Sequence, residues 1–217
     1  MMTNLFVVFD PCTGFLSLNW LSTWIFILIL PYKFWFMSNK TSVMTNKIIK
    51  SLKDEMFMFM PYKGTTLMLI SIFVFIMINN IMGLMPYVFT SSSHLIFSLA
   101  LALPLWLAFM LYGWINKSQS MFAHLLPTGT PGVLMPFMVM IETISNIIRP
   151  GSLSVRLMAN MIAGHLLMSL LGNNTGSMML MISTMVVYTG LMLFESAVAL
   201  IQGYVFMTLT TLYSSEI

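Results

Sequence analysis

Charge is what this sequence has least of. Only 7 % of its 217 residues are Asp, Glu, Lys or Arg, whereas 59 % are apolar. Soluble domains carry about 25 % charged and about 45–50 % apolar residues, so a water-facing surface could not be covered with this composition. From Gly64 to Asn116 there is no Asp, Glu, Lys or Arg at all. Cysteine is reduced to Cys12 alone, which excludes an intrachain disulfide and any multi-cysteine metal site. The three histidines, His94, His124 and His165, are too far apart for the i, i+4 spacing of a helical metal site or for paired haem ligation. No glycine-rich phosphate loop or nucleophile elbow is present, and no basic cluster alternates with aromatics as nucleic-acid binding would require. No basic residue precedes the first apolar run, so neither a cleavable secretory signal nor an arginine-rich presequence is expected.

What is there is a series of long apolar segments. The expected fold is an all-α membrane protein forming one integral domain over residues 1–217. It has about five spans, one amphipathic interfacial helix, and a long tilted hairpin made by the last two spans. The first span is expected over 15–37, with Lys33 snorkelling at its edge. Residues 40–60 mix Lys40, Lys47, Lys50, Lys53, Asp54 and Glu55 with Ile48, Leu52, Met56 and Phe59 at helical spacing. That pattern predicts an amphipathic helix lying in the interface, a plain polar loop being the alternative.

The second and third spans are expected within 67–115, with Pro104 inside the third. A polar loop, to which His124 is assigned, follows over Lys117 to Gly132. Residues 133–213 form the hairpin. Val133 to Gly172 would be about 60 Å long as a helix, twice the hydrocarbon core of about 30 Å. It must therefore be strongly tilted, broken at Pro150-Gly151, or both. Ser177 to Tyr213 is similarly over-long, and Gly172 to Gly176 supplies the turn between them. Asn173-Asn174-Thr175 matches a glycosylation sequon but carries little weight without a secretory route. Methionine, at 25 residues, is spread through the apolar segments as packing filler. The lysines concentrate after the first span, and Lys117 follows the third. That bias sets the lysine loops and the carboxyl terminus inside and the amino terminus outside.

Glu142, Arg149, Arg156, His165 and Glu195 all fall within apolar sequence. An ionisable group there is costly in lipid, so each should face a protein interface or a water-filled path. Arg149, next to Pro150, has a plain reading as a snorkelling cation. Arg156 heads a run ending at His165, with Asn160 one turn away and the small residues Ala163 and Gly164 near the same face. Arginine remains protonated in almost any environment. It therefore suits an electrostatic partner or barrier, or else a structural ion pair with Glu142 or Glu195. His165 and Glu195 can exchange protons, and both are reachable from the outer side of an antiparallel hairpin. Gln202 lies two turns beyond Glu195 on the same face. Glu142 lies towards the inner side. Protonatable groups thus approach a fixed cation from both sides, an arrangement for conduction in two separated steps.

The run Arg156 to His165 resembles the a subunit of F-type ATP synthases in its mitochondrial, insect-like form. The opening Asn4 to Pro11, the stretches His124 to Pro131 and Glu142 to Pro150, and the end Gln202 to Met207 also match that pattern. The resemblance covers essentially the whole chain. It implies a proton-translocating stator subunit in which Arg156 faces the ring of c subunits and blocks a direct leak between two half-channels. Asn160 and Gln202 would be polar neighbours at that interface. His165 and Glu195 would line the half-channel open to the intermembrane space, and Glu142 would belong to the matrix-side path. Further implied are the mitochondrial inner membrane as location, peripheral-stalk and other small membrane subunits as partners besides lipid, and no cofactor or nucleic acid. The chain itself would make and break no covalent bond, so any enzyme activity belongs to the complex. Abundant Met where relatives carry Leu or Ile is the one departure. Two other readings compete. An ion-coupled transporter would need inverted repeats with matched broken helices, which are not visible. A purely structural subunit would leave His165 and Glu195 without a task.

Overall fold

A computed structural model describes residues 5–12, 14, 16–30, 36–60, 63–126, 129–173 and 178–215. Its regular elements are all helical, with no strand among the described residues. Two short 3-10 helices, Leu5–Phe9 and Leu18–Trp24, precede α1 (Ile25–Ile29). The long helices are α2 (Lys40–Phe59), α3 (Lys63–Gly83), α4 (Leu95–Asn116), α6 (Met135–Asn173) and α7 (Met178–Ser215), with the short α5 (Ser118–His124) after α4. Among the described residues, four segments are long and apolar enough to cross a membrane: Gly64–Gly83, Leu95–Asn116, Gly132–Asn173 and Met181–Ser215. The amino-terminal apolar helix, Leu18–Ile29, is shorter. Positions 15 and 31–35 of the expected first span, and 174–176 of the expected turn, lie outside the described residues.

The helices pack because their contact faces are apolar, not because their outer faces are polar; in lipid both faces are greasy and packing decides the arrangement. One core layer joins Met56 of α2 and Leu69, Ile70 and Phe73 of α3 to Met207 of α7. A second joins Ile76, Ala102, Leu153, Leu157 and Phe206, one or more from each of α3, α4, α6 and α7. A third joins Leu84 and Met168 to Ala199. At Gly203 α7 faces α3: an added Cβ would stand at ordinary contact distance, 3.5 Å from the Phe73 ring and 3.7 Å from Met77. As positions on α6 rise through Leu157 and Met168, their partners on α7 fall through Phe206 and Ala199, so the two helices are antiparallel. One end of the bundle therefore gathers α2 and the start of α3 with Lys117, and carries Lys40, Lys47, Lys50, Lys53 and Lys117. The opposite end carries no lysine among the described residues.

α6 runs as one helix through Pro150 and Gly151, so the expected break there does not occur. Pro150 is buried, and nearby hydroxyls fold back onto the helix. Ser152 donates to the Arg149 carbonyl at 2.9 Å and Ser154 to the Gly151 carbonyl at 2.8 Å. At about 58 Å, α6 is nearly twice as long as the hydrocarbon core is thick. α4 is likewise continuous through Pro104. His124 closes the short helix α5, where the sequence suggests only a loop.

Candidate proton-path site

The site is built on the seam between α6 and α7. At its centre, Asn160 donates through Nδ2 to Oε1 of Gln202 at 3.0 Å. Gln202 is buried, and its own Nε2 has no hydrogen-bond partner among the described residues. One turn before Asn160, Arg156 points away from the core layer formed by Leu153, Leu157 and Met161. It is exposed, as are Ser152, Val155, Ala159 and Ala163. These recur every three or four residues and form one outward stripe, in which Ser152, Ala159 and Ala163 leave room beside the cation.

Neither carboxylate that could have neutralised Arg156 from within the chain does so. Glu142 pairs with Arg149 at 3.6 Å. Glu195 turns onto the α6 backbone, where a Cβ added at Gly164 would coincide with its carboxylate. Gly164 therefore serves as the seat of Glu195, whereas its neighbour Ala163 lies on the exposed stripe. Glu195 is buried, and its Oε1 has no partner among the described residues. The adjacent His165 has a buried Nε2 in the same condition, and its ring meets the edge of Phe9 at 6.2 Å. Buried polar atoms without partners are uncommon in folded proteins.

Arg149 is more than a snorkelling cation. Besides Glu142, it lies over the Tyr213 ring at 5.0 Å, which ties α6 to the end of α7. This geometry needs the register of the two helices and is invisible in the sequence.

Two cavities flank the central seam. At the lysine-bearing end, a cavity of about 440 Å³ is lined by Glu142, Asn146, Arg149, Thr210 and Tyr213 together with Trp106 and His124. At the opposite end, a cavity of about 500 Å³ is lined by His165, Ser169, Thr184 and Tyr188, and by Val8 and residues 83–88. Glu142 lies 14 residues before Arg156 and His165 nine after it, or about 21 Å and about 13 Å along the axis. His124, Tyr213, Phe9 and the seat at Gly164 are the contributors that sequence reasoning missed. No group of three or more His, Cys, Asp or Glu that could hold a metal occurs among the described residues.

The family model of the ATP synthase A chain matches residues 15–215. Among the curated relatives, the ATP synthase subunit a of Anopheles quadrimaculatus is 57 % identical over 225 aligned positions, covering 100 % of both chains. Those of Anopheles gambiae and Drosophila melanogaster are 58 % and 57 % identical, again over 100 % of both chains. With that full-length match, and with four membrane-length helices among the described residues, the chain belongs to the ATP synthase subunit a family, the proton-translocating stator subunit of the F-type ATP synthase membrane sector.

Proposed function

We propose that protons cross this subunit through two half-channels that meet only through a rotor carboxylate facing Arg156. The observation that carries this reading is the isolation of Arg156: exposed, permanently charged, and without an ion pair among the described residues, while Glu142 and Glu195 are engaged elsewhere. A cation at mid-membrane is stable only opposite a compensating charge, and that charge must come from another chain. The subunit works within the complex. The partner that fits is the ring of c subunits, each presenting a carboxylate. Peripheral-stalk and other small membrane subunits would hold the remaining apolar faces.

In this scheme the lysine-free end opens to the intermembrane space and the lysine-bearing end to the matrix of the mitochondrial inner membrane. The amino terminus lies on the intermembrane side and the carboxyl terminus in the matrix. A proton enters the outer cavity, passes His165 and Glu195, and neutralises a rotor carboxylate beside Asn160 and Gln202. The neutral carboxyl group moves into lipid. After nearly a full turn, that same carboxyl group releases its proton towards Glu142 and the inner cavity. Arg156 attracts the ionised carboxylate and repels a free proton, so the half-channels are not shorted. The hairpin over 133–213 carries this path, while 15–37, 40–60 and 67–115 anchor and brace it within one membrane domain. Arg156→Ala tests the scheme. The complex is expected to assemble but to lose proton-driven ATP synthesis, and normal synthesis in that variant would refute the assignment.

A further inference from the structure

The amino-terminal segment does more than lead into the bundle. Within Leu5–Phe9, residues 6–8 are exposed, whereas Phe9 is half-buried. Phe9 turns inward to meet the His165 ring edge-on, 6.2 Å between centroids at 88°. Val8 lines the same cavity as His165. Further along, Trp20 packs on Phe89 and His94 at 5.7 and 5.3 Å, and the Ser22 hydroxyl donates to the Phe89 carbonyl at 3.1 Å. The segment is thus fastened over the lysine-free end at two points, each beside a histidine whose Nε2 is buried without a partner among the described residues. Its first part precedes residue 15, where the family match begins.

We propose that Leu5–Phe9 forms an outer wall of the proton inlet, with Phe9 a positioning residue that fixes the His165 ring, and that Leu18–Trp24 anchors the segment on Phe89 and His94 beside it. The functional part rests on His165 being a group of the outer half-channel. An edge-to-face aromatic pair is specific in geometry. It holds the imidazole in one orientation, keeps its Nε2 buried, and restricts the cavity mouth to small species. Glu195 across Gly164, Tyr188 in the cavity wall, and Asp10 next to Phe9 are the other titratable groups nearby. None supplies a ring contact to His165 among the described residues.

The test uses intact ATP synthase in its native membrane, treated with diethylpyrocarbonate from the outer side and read by mass spectrometry at each histidine. Phe9→Ala is expected to raise the labelling rate of His165 about threefold, a change of the size one aromatic pair contributes. Phe9→Tyr, which keeps the ring, should label as the parent does. Trp20→Ala should raise labelling at His94 in the same way. His124, in the cavity at the other end, serves as the internal control. An unchanged rate at His165 in Phe9→Ala, or an equal rise at His124, would overturn the proposal, the second because it signals general loosening. Labelling does not depend on proton flow. If His165 is deprotected in Phe9→Ala while its replacement by Ala leaves ATP synthesis unaffected, the half-channel role of His165 fails and the wall stands.

Discussion

The two ends of the α6–α7 hairpin treat their ionisable groups in opposite ways. At the lysine-bearing end, Glu142 and Arg149 neutralise each other at 3.6 Å, and Tyr213 covers the guanidinium. That pair is partly exposed, with side-chain accessibilities of 37 % and 22 %. At the other end, Glu195 and His165 each hold a buried polar atom with no protein partner among the described residues. One end has settled its charges and the other has left its protonatable groups open. The contrast teaches how one helix pair serves two tasks. The paired end ties α6 to α7, whereas the open end leaves the groups to which the proposed function assigns proton transfer without protein partners among the described residues. Arg156, between them, belongs to neither and faces outward.

The comparison can be broken first at the open end. Glu195→Gln keeps the shape and removes the exchangeable proton. Uptake from the outer side is expected to fall about a hundredfold, at the low end of what a positioned proton-transfer group contributes. Proton flux measured in reconstituted vesicles checks this, and an unchanged rate would take Glu195 out of the path. Gly164→Ala sharpens the same point by displacing the carboxylate without deleting it. The obstructing atoms are the end of a flexible side chain, so stability should drop by only about 1 kcal/mol. Proton uptake should fall roughly tenfold, since misplacing a reacting group is costly. Thermal denaturation and flux together separate the two effects.

Gln202→Leu acts at the centre. It strips Asn160 of its 3.0 Å acceptor, with an expected destabilisation of about 1–3 kcal/mol for the polar group left unpaired. Denaturation of the detergent-solubilised complex measures it. The smallest effect is expected at the paired end. Glu142→Gln removes a half-exposed ion pair, worth about 0–1 kcal/mol. Assembly and melting should barely change, while proton release on the matrix side slows. A large loss of stability there would show that the ends differ less than their geometry implies.

Much of this arrangement is legible in the sequence because it is local. The sparse charge, the long apolar segments and the amphipathic pattern of α2 follow from composition and period, and the family follows from the run Arg156 to His165. The order of Glu142, Arg156 and His165 follows from the rise of a helix. What was not legible depends on register between helices. Nothing in the numbering says that Glu195 rests on Gly164, because that meeting is set by Leu157 against Phe206 and Met168 against Ala199. The same holds for Arg149 over Tyr213. Sequence allowed Pro150-Gly151 either to break α6 or to leave it whole; the buried position of Pro150 and the hydroxyls of Ser152 and Ser154 go with an unbroken helix. Phe9 reached His165 across more than 150 residues of chain, beyond any local pattern.

The central claim is that Arg156 faces a carboxylate on the rotor. Cross-linking tests it most directly. Cys12 is exposed and would first be replaced by Ser. A cysteine at Ala159, on the outward stripe beside Arg156, would then be oxidised against one placed next to the c-subunit carboxylate in the assembled complex. The account expects a disulfide between this subunit and the ring, and none from a cysteine at buried Leu157. A link from position 159 to another membrane subunit, with none to the ring, would contradict it.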